Sequence, residues 1–126
     1  MTQWMNDYEL DLADRLVSHS LWQWVPGMLG VNRVGGKLSL QERRYTGQLP
    51  WNKYVPSLKD CMTVHLIWES IKKFNLDGYH LVRAYENSYY KSGFYKPGGK
   101  IVLIFNSKSE GRIAGKTWLW FASKCI

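Results

Sequence analysis

The sequence predicts an α+β fold, a small single domain in which an antiparallel sheet packs with two or three helices. Three observations carry that expectation. Residues 6–19 and 61–74 repeat apolar side chains at helical spacing, whereas several shorter segments rich in β-branched and aromatic residues are divided by Gly and Pro turn signals. The length, 126 residues, suits one domain with its own core.

Between Asn6 and His19, Tyr8, Leu12, Leu16 and Val17 recur near helical spacing, with Asp11, Asp14 and Arg15 elsewhere around the wheel. Asn6 or Asp7 caps the start and Glu9 complements the positive end of the dipole. The acids Asp7, Glu9, Asp11 and Asp14 read as a solvated face. "SLWQWVPGMLGV", Ser20 to Val31, then places Trp22 and Trp24 ahead of the Pro26-Gly27 turn. It reads as a core corner rather than a ligand shelf, because buried aromatic rings mostly serve packing.

Met28 to Val34 and Lys37 to Tyr45 read as two strands around Gly35-Gly36, and "TGQLPWNKYVPSLKD" as an irregular link. Asp60 is a good cap for a helix from Cys61 to Phe74, whose Val64, Ile67, Trp68, Ile71 and Phe74 form one apolar stripe. Lys72 and Lys73 fall in its last turn, before Asp77-Gly78. That stripe is expected to pack on the sheet containing Ile101 to Phe105. Tyr79 to Glu86 and Tyr89 to Tyr95 alternate loosely, Pro97-Gly98-Gly99 turns the chain, and Ile101 to Phe105 has the continuous apolar run of a buried central strand. Residues 109–125 stay open between helix and strand. "TWLWFAS" has strand-like aromatics, Ile113, Trp120 and Phe121 can line one side of a helix, and Gly111 and Gly115 count against one.

Seven Trp and eight Tyr are many for this length, and their polar tips suit binding surfaces as well as cores. Two cysteines, Cys61 and Cys125, do not make a disulfide framework, so a reducing compartment is the default. The acidic N-terminus lacks the order of a signal peptide, and no apolar run is long enough to span a bilayer. These features point to a cytoplasmic protein, in the host cell cytoplasm if phage-encoded. The net charge is +7, and the whole surplus lies beyond residue 40. A basic surface favours an anionic partner such as nucleic acid, a nucleotide or an acidic protein; the alternative is a solubilising lysine surface.

"ADRLVSHSLWQWVPGML" and "VPSLKDCMTVHLIWESIKK" resemble two blocks of small uncharacterised tailed-phage and prophage proteins. In those a short helix leads into a Trp-x-Trp corner, and a Pro-x-Leu-x-Asp-x-x-Thr segment, matched by Pro56, Leu58, Asp60 and Thr63, starts a second helix. Cys61 stands where those relatives often have proline. The resemblance covers about a third of the chain. It implies phage origin and a helical finish, and neither block is a catalytic signature.

"GRIAGKT", Gly111 to Thr117, resembles a phosphate-binding P-loop one residue short. Only nine residues follow Thr117, leaving no further strand and no late magnesium-binding acid, so a basic glycine loop holding phosphate is the less demanding reading. Cys61 and His65 share a helix face and, with His80 and Cys125, number enough for zinc, but no Cys-x-x-Cys pair is present. A buried thiol beside a helix-face imidazole is the simpler reading. The richest segment is "YHLVRAYENSYYKSGFYKPGGK", where tyrosines interleave with cations and Tyr79, Leu81, Arg83 and Tyr85 point to one side of a strand. Rings beside cations stack bases and neutralise phosphates. An amphipathic hairpin with lysines protecting its edges is the competing reading.

The expectation that follows is a non-enzymatic, phage-type accessory protein that acts on an anionic partner and inhibits a host defence. The partner is a nucleotide signal, a nucleic acid or a nucleic-acid-handling host protein. The expected binding residues are Arg83, Tyr85, Tyr89, Tyr90, Lys91, Lys96 and Lys100, extended by Arg112 and Lys116, with no metal and no cofactor. The alternatives are a small phage enzyme or nucleotide-binding protein using the Gly111–Thr117 loop, and a virion or assembly component.

Overall fold

The segment left ambiguous by its sequence forms a helix that packs against both other helices and one of the two sheets. The computed structural model describes residues 5–34, 37–48, 54–74, 79–96, 98 and 101–124. In chain order the elements are α1 (Asp7–Ser18), β1 (Leu29–Val34), β2 (Lys37–Arg44), β3 (Tyr54–Pro56), α2 (Cys61–Ile71), β4 (His80–Glu86), β5 (Tyr89–Tyr95), β6 (Ile101–Ser107) and α3 (Glu110–Lys124). The α+β class is as expected, but the strands divide into two antiparallel three-stranded sheets, ordered β2-β1-β3 and β4-β5-β6.

α3 packs against α1 and α2, and also against β5 and β6. Gly111 and Gly115, which argued against a helix, are what permit this. Four residues apart, they share a helix face. A Cβ at Gly111 would run into the backbone carbonyl of Leu58, and one at Gly115 would come within 2.9 Å of Leu12 Cδ2. A helix-interior glycine costs about 1 kcal/mol against alanine. Close contact with α1 and with the segment before α2 offsets that cost. Ile113, Ala114, Thr117, Trp118, Phe121 and Ala122 complete the buried part of α3.

α1 opens with a capping box. Asn6 Oδ1 accepts the Glu9 N–H at 2.9 Å, and Glu9 Oε1 accepts the Asn6 N–H at 3.2 Å. Leu12, Ala13 and Leu16 are buried as the periodicity requires, but Tyr8 is exposed and Glu9 is wholly buried. The solvated-face reading therefore fails at Glu9, whose carboxylate meets Lys59 Nζ at 3.1 Å and accepts from the Ser109 hydroxyl at 3.3 Å.

α2 begins as read, with Asp60 accepting the Thr63 N–H at 3.0 Å. Val64, Ile67, Trp68 and Ile71 are buried and Phe74 is half-buried. The helix ends at Ile71, so Lys72 and Lys73 lie just beyond it rather than in its last turn. Its main helix neighbour is α3, which stands where the sheet was expected. β6 is an edge strand, since β5 takes the centre of the meander. β3 went unread inside the supposed link because three residues show no periodicity; it pairs Gly30 with Pro56 and Asn32 with Tyr54. The readings at Gly35-Gly36, Asp77-Gly78, Pro97 and Gly99 lie outside the described residues.

The Trp corner packs on the core. Trp22 meets Trp118 edge-on at 5.5 Å and Trp24 at 5.8 Å, and Trp118 also meets His19 and Phe74. Both Trp22 and Trp24 are half-buried, so neither is a fully internal residue. Gly27 turns the chain with φ of +106°, a conformation that suits glycine, and its N–H donates to Tyr45 O at 2.9 Å. Arg44 closes the corner by donating to Gly27 O at 3.0 Å and to Asp60 Oδ2 at 2.7 Å. No helix among the described residues is long and apolar enough to cross a membrane.

Candidate functional site

The expected binding residues converge on the hairpin of β4 and β5, where it overhangs the start of α3. Asn87 and Ser88 form its two-residue turn, both with positive φ, the geometry whose twist matches the flanking strands. Register pairs Tyr85 with Tyr90, Arg83 with Ser92 and Leu81 with Phe94. Ser92 and Phe94 fix which side is inward: the Ser92 hydroxyl bonds the Thr117 hydroxyl at 2.9 Å, and Phe94 stacks on Trp120. Leu81, Arg83, Tyr85 and Tyr90 thus belong to the face toward α3. Tyr89 and Lys91 start from the other face; Lys91 still lines the same cleft as Arg83, Tyr85 and Tyr90, whereas Tyr89 does not, so the expected single surface is divided.

Two open clefts flank the first turn of α3. The first, of about 320 Å³, is lined by Trp68, Arg83, Tyr85, Tyr90, Lys91 and Glu110, with Ala84 and Ile113. The Tyr85 and Tyr90 rings lie 4.7 Å apart, and Tyr85 is 65% exposed. Arg83 lies 4.1 Å above the Trp68 ring and donates to Glu110 at 3.0 Å. Lys91 faces Glu86 at 3.7 Å. Trp68 is only 3% exposed, and its indole N–H has no hydrogen-bond partner among the described residues. A buried donor left unsatisfied costs roughly 1–3 kcal/mol.

The second cleft, of about 450 Å³, is lined by Lys59, Tyr89, Ser107, Lys108, Ser109 and Arg112. Lys108 lies over the Tyr89 ring at 5.7 Å. Arg112 and Lys116 both lie over Tyr8, at 4.6 and 5.2 Å. Neighbouring residues divide between the clefts: Tyr90 and Tyr89, Glu110 and Ser109, Ile113 and Arg112.

Of the expected site residues, Arg83, Tyr85, Tyr90 and Lys91 therefore share one cleft, and Tyr89 and Arg112 the other. Lys116 sits beside Arg112 on Tyr8. Lys96 is away from both, over the Tyr79 ring at 5.4 Å, and Lys100 lies outside the described residues. The Gly111–Thr117 segment is not a loop but the first half of α3, and its glycines face Leu58 and Leu12. A phosphate cradle on that glycine backbone is thereby excluded, because the neighbouring chain occupies the approach. Cys61 and His65 are both exposed, which corrects the reading of a buried thiol; Cys125 lies outside the described residues. Among the described residues no three His, Cys, Asp or Glu side chains are grouped as metal ligands.

Sequence reasoning missed Trp68, Lys59, Ser107, Lys108, Ser109 and Glu110. Trp68 was absorbed into the α2 stripe, where its ring belongs. The Ser109 hydroxyl accepts the Arg112 N–H at 3.4 Å, and a serine ahead of Glu110 was the available signal that a helix starts there. A scan of protein-family models and searches of curated proteins and of solved structures found no match to the chain.

Proposed function

We propose that this chain is a non-enzymatic, phage-type accessory protein that binds an anionic partner at the basic aromatic clefts and thereby interferes with a host defence. The observation that carries the reading is the first cleft. Tyr85, largely exposed, and Tyr90, its ring tilted against Tyr85 at 4.7 Å, stand beside Arg83 and Lys91, with the Trp68 ring under Arg83. Exposed rings beside cations accept planar groups through stacking and their charges through ion pairing. The carboxylates at this cleft, Glu86 and Glu110, are each held by a cation, which supports binding over proton transfer. The phage setting rests on the sequence resemblance alone, and the defence role on the fit of stoichiometric binding to that setting.

The test is recovery of the tagged chain from phage-infected cells, with bound small molecules, nucleic acid and proteins all identified. The expected result is an anionic partner held by the parent chain and lost from a Tyr85→Ala/Lys91→Glu variant of unchanged melting temperature. Retention of an uncharged partner by both proteins overturns the reading.

A further inference from the structure

The two clefts differ in charge, and that difference locates the anion. In the first, Arg83 is paired to Glu110 at 3.0 Å and Lys91 to Glu86 at 3.7 Å, so its cations are largely matched. In the second, no carboxylate lines the wall. Lys59 is matched by the buried Glu9, but Lys108 and Arg112 have aromatic rings for company and no carboxylate within ion-pair distance among the described residues. Arg112 Nε is shielded from solvent and has no hydrogen-bond partner among the described residues. Lys116, sharing Tyr8 with Arg112, adds a further positive charge. Ser107 Oγ accepts the Ser109 N–H at 3.1 Å and keeps its own proton to donate.

Resting on the reading that the first cleft takes a ring of the partner, we propose that the second cleft binds a phosphate group of that same partner. The partner is then a nucleotide or a stretch of single-stranded nucleic acid. Lys59, Lys108, Arg112 and Ser107 bring several donors to one cleft, which suits a phosphate with its three charged oxygens better than a carboxylate with two. Arginine adds the paired N–H geometry that phosphate favours. Glu9 acts as a positioning residue: held by the Asn6 N–H, it orients Lys59 and the Ser109 hydroxyl from beneath the floor. Tyr89 and Tyr90 are consecutive and line one cleft each on opposite faces of β5, so a partner that fills both passes around the strand, its ring on one side and its phosphate on the other.

The experiment is a titration of the full chain with inorganic pyrophosphate, a nucleoside monophosphate, a short dT oligonucleotide and a poly-glutamate peptide, following the Arg112 Nε–H resonance by NMR. Pyrophosphate and both nucleotide probes should shift that resonance, and poly-glutamate should not. Lys108→Ala should weaken all three phosphate probes about tenfold. Tyr85→Ala should weaken the nucleotide probes and leave pyrophosphate unchanged. Salt dependence separates the two sources of phosphate, since each strand phosphate neutralised adds about 0.7 to the slope of log affinity against log salt, giving a steeper slope for the oligonucleotide. An unmoved Arg112 resonance, or phosphate binding by the Lys108→Ala and Arg112→Gln proteins as tight as the parent's, overturns the phosphate site. If Tyr85→Ala still abolishes partner recovery from cells, that failure is confined to the second cleft; if it does not, the first cleft fails as well.

Discussion

The two aromatic groups of this protein use the same residue types for opposite ends. Around Trp118, the rings of His19, Trp22 and Phe74 meet edge-on at 5.3 to 5.6 Å, and Trp118 itself is 2% exposed. Around Tyr85 and Tyr90 the rings border an open cleft, and the neighbours are Arg83, Lys91 and Glu110. In the first group three rings pack edge-on around the buried Trp118, so its energy goes into folding. In the second, exposed faces stand beside charges, an arrangement that contributes little to folding and leaves area for a partner. Ring density in a sequence therefore does not mark a binding site. Exposure of the ring faces beside charges separates the second group from the first.

Substitution at the first group should break that contrast most sharply. Trp118→Ala removes the ring shared by His19, Trp22 and Phe74 and should destabilise the chain by about 3–5 kcal/mol in denaturant titration. Tyr85→Ala should stay within about 0.5 kcal/mol of the parent. Equal losses at the two positions would mean that the hairpin rings are part of the core.

Next in size is the glycine face that brings α3 against its neighbours. Gly111→Ala places a Cβ against the Leu58 carbonyl, and backbone on one side must move. Overpacking of this kind costs about 1–3 kcal/mol. The sign of the change is the decisive readout, because alanine at an open helix site would stabilise by about 1 kcal/mol. A stabilised Gly111→Ala protein would show that the glycine is not a contact residue.

What was legible in the sequence follows from the same physics. α1, α2 and the strands of the β4–β5 hairpin were read because local signals agree: helical period and the caps Asn6 and Asp60 for the helices, alternation for the strands. α3 was not, because its glycines oppose helix locally and make sense only against Leu12 and Leu58, residues distant in sequence. The alternation of Tyr with Arg and Lys was legible on the hairpin, and the fold gathers Arg83, Tyr85, Tyr90 and Lys91 from it around one cleft. Lys59 and Lys108 were not, since each is an isolated lysine until the fold brings both to one cleft with Arg112. Glu9 looked solvated because nothing in the helical pattern announces a lysine fifty residues on.

Binding should sharpen the contrast from the other side. Stacking of a base on an exposed ring is worth about 1–3 kcal/mol. Tyr85→Ala should therefore weaken binding of a dT oligonucleotide by that much, while Trp24→Phe, which keeps a ring against Tyr45, should leave it unchanged. Fluorescence anisotropy at fixed salt reads both. Equal weakening by both variants would place the ligand against the tryptophan corner.

The smallest effect concerns the clamp that holds the corner to α2. Burial pushes the Asp60 carboxyl up, but hydrogen bonds from the Arg44 and Thr63 side chains and the Thr63 N–H, with the Arg44 charge, outweigh it and hold its pKa below the ordinary value. A carboxyl with a lowered folded-state pKa binds protons more readily when the chain unfolds. Its contribution is therefore present above the unfolded-state pKa and is lost as pH falls through the folded-state value. Asp60→Asn keeps a capping side chain but no titratable charge. The parent should be the more stable of the two at neutral pH, by about 1 kcal/mol or less for so exposed an ion pair. That advantage should shrink as pH falls below the ordinary carboxylate range. Thermal melts of both proteins across that range provide the measurement. A gap that stays constant with pH would show that Arg44 holds the corner through Gly27 O alone, and that the charge of Asp60 adds nothing to the fold.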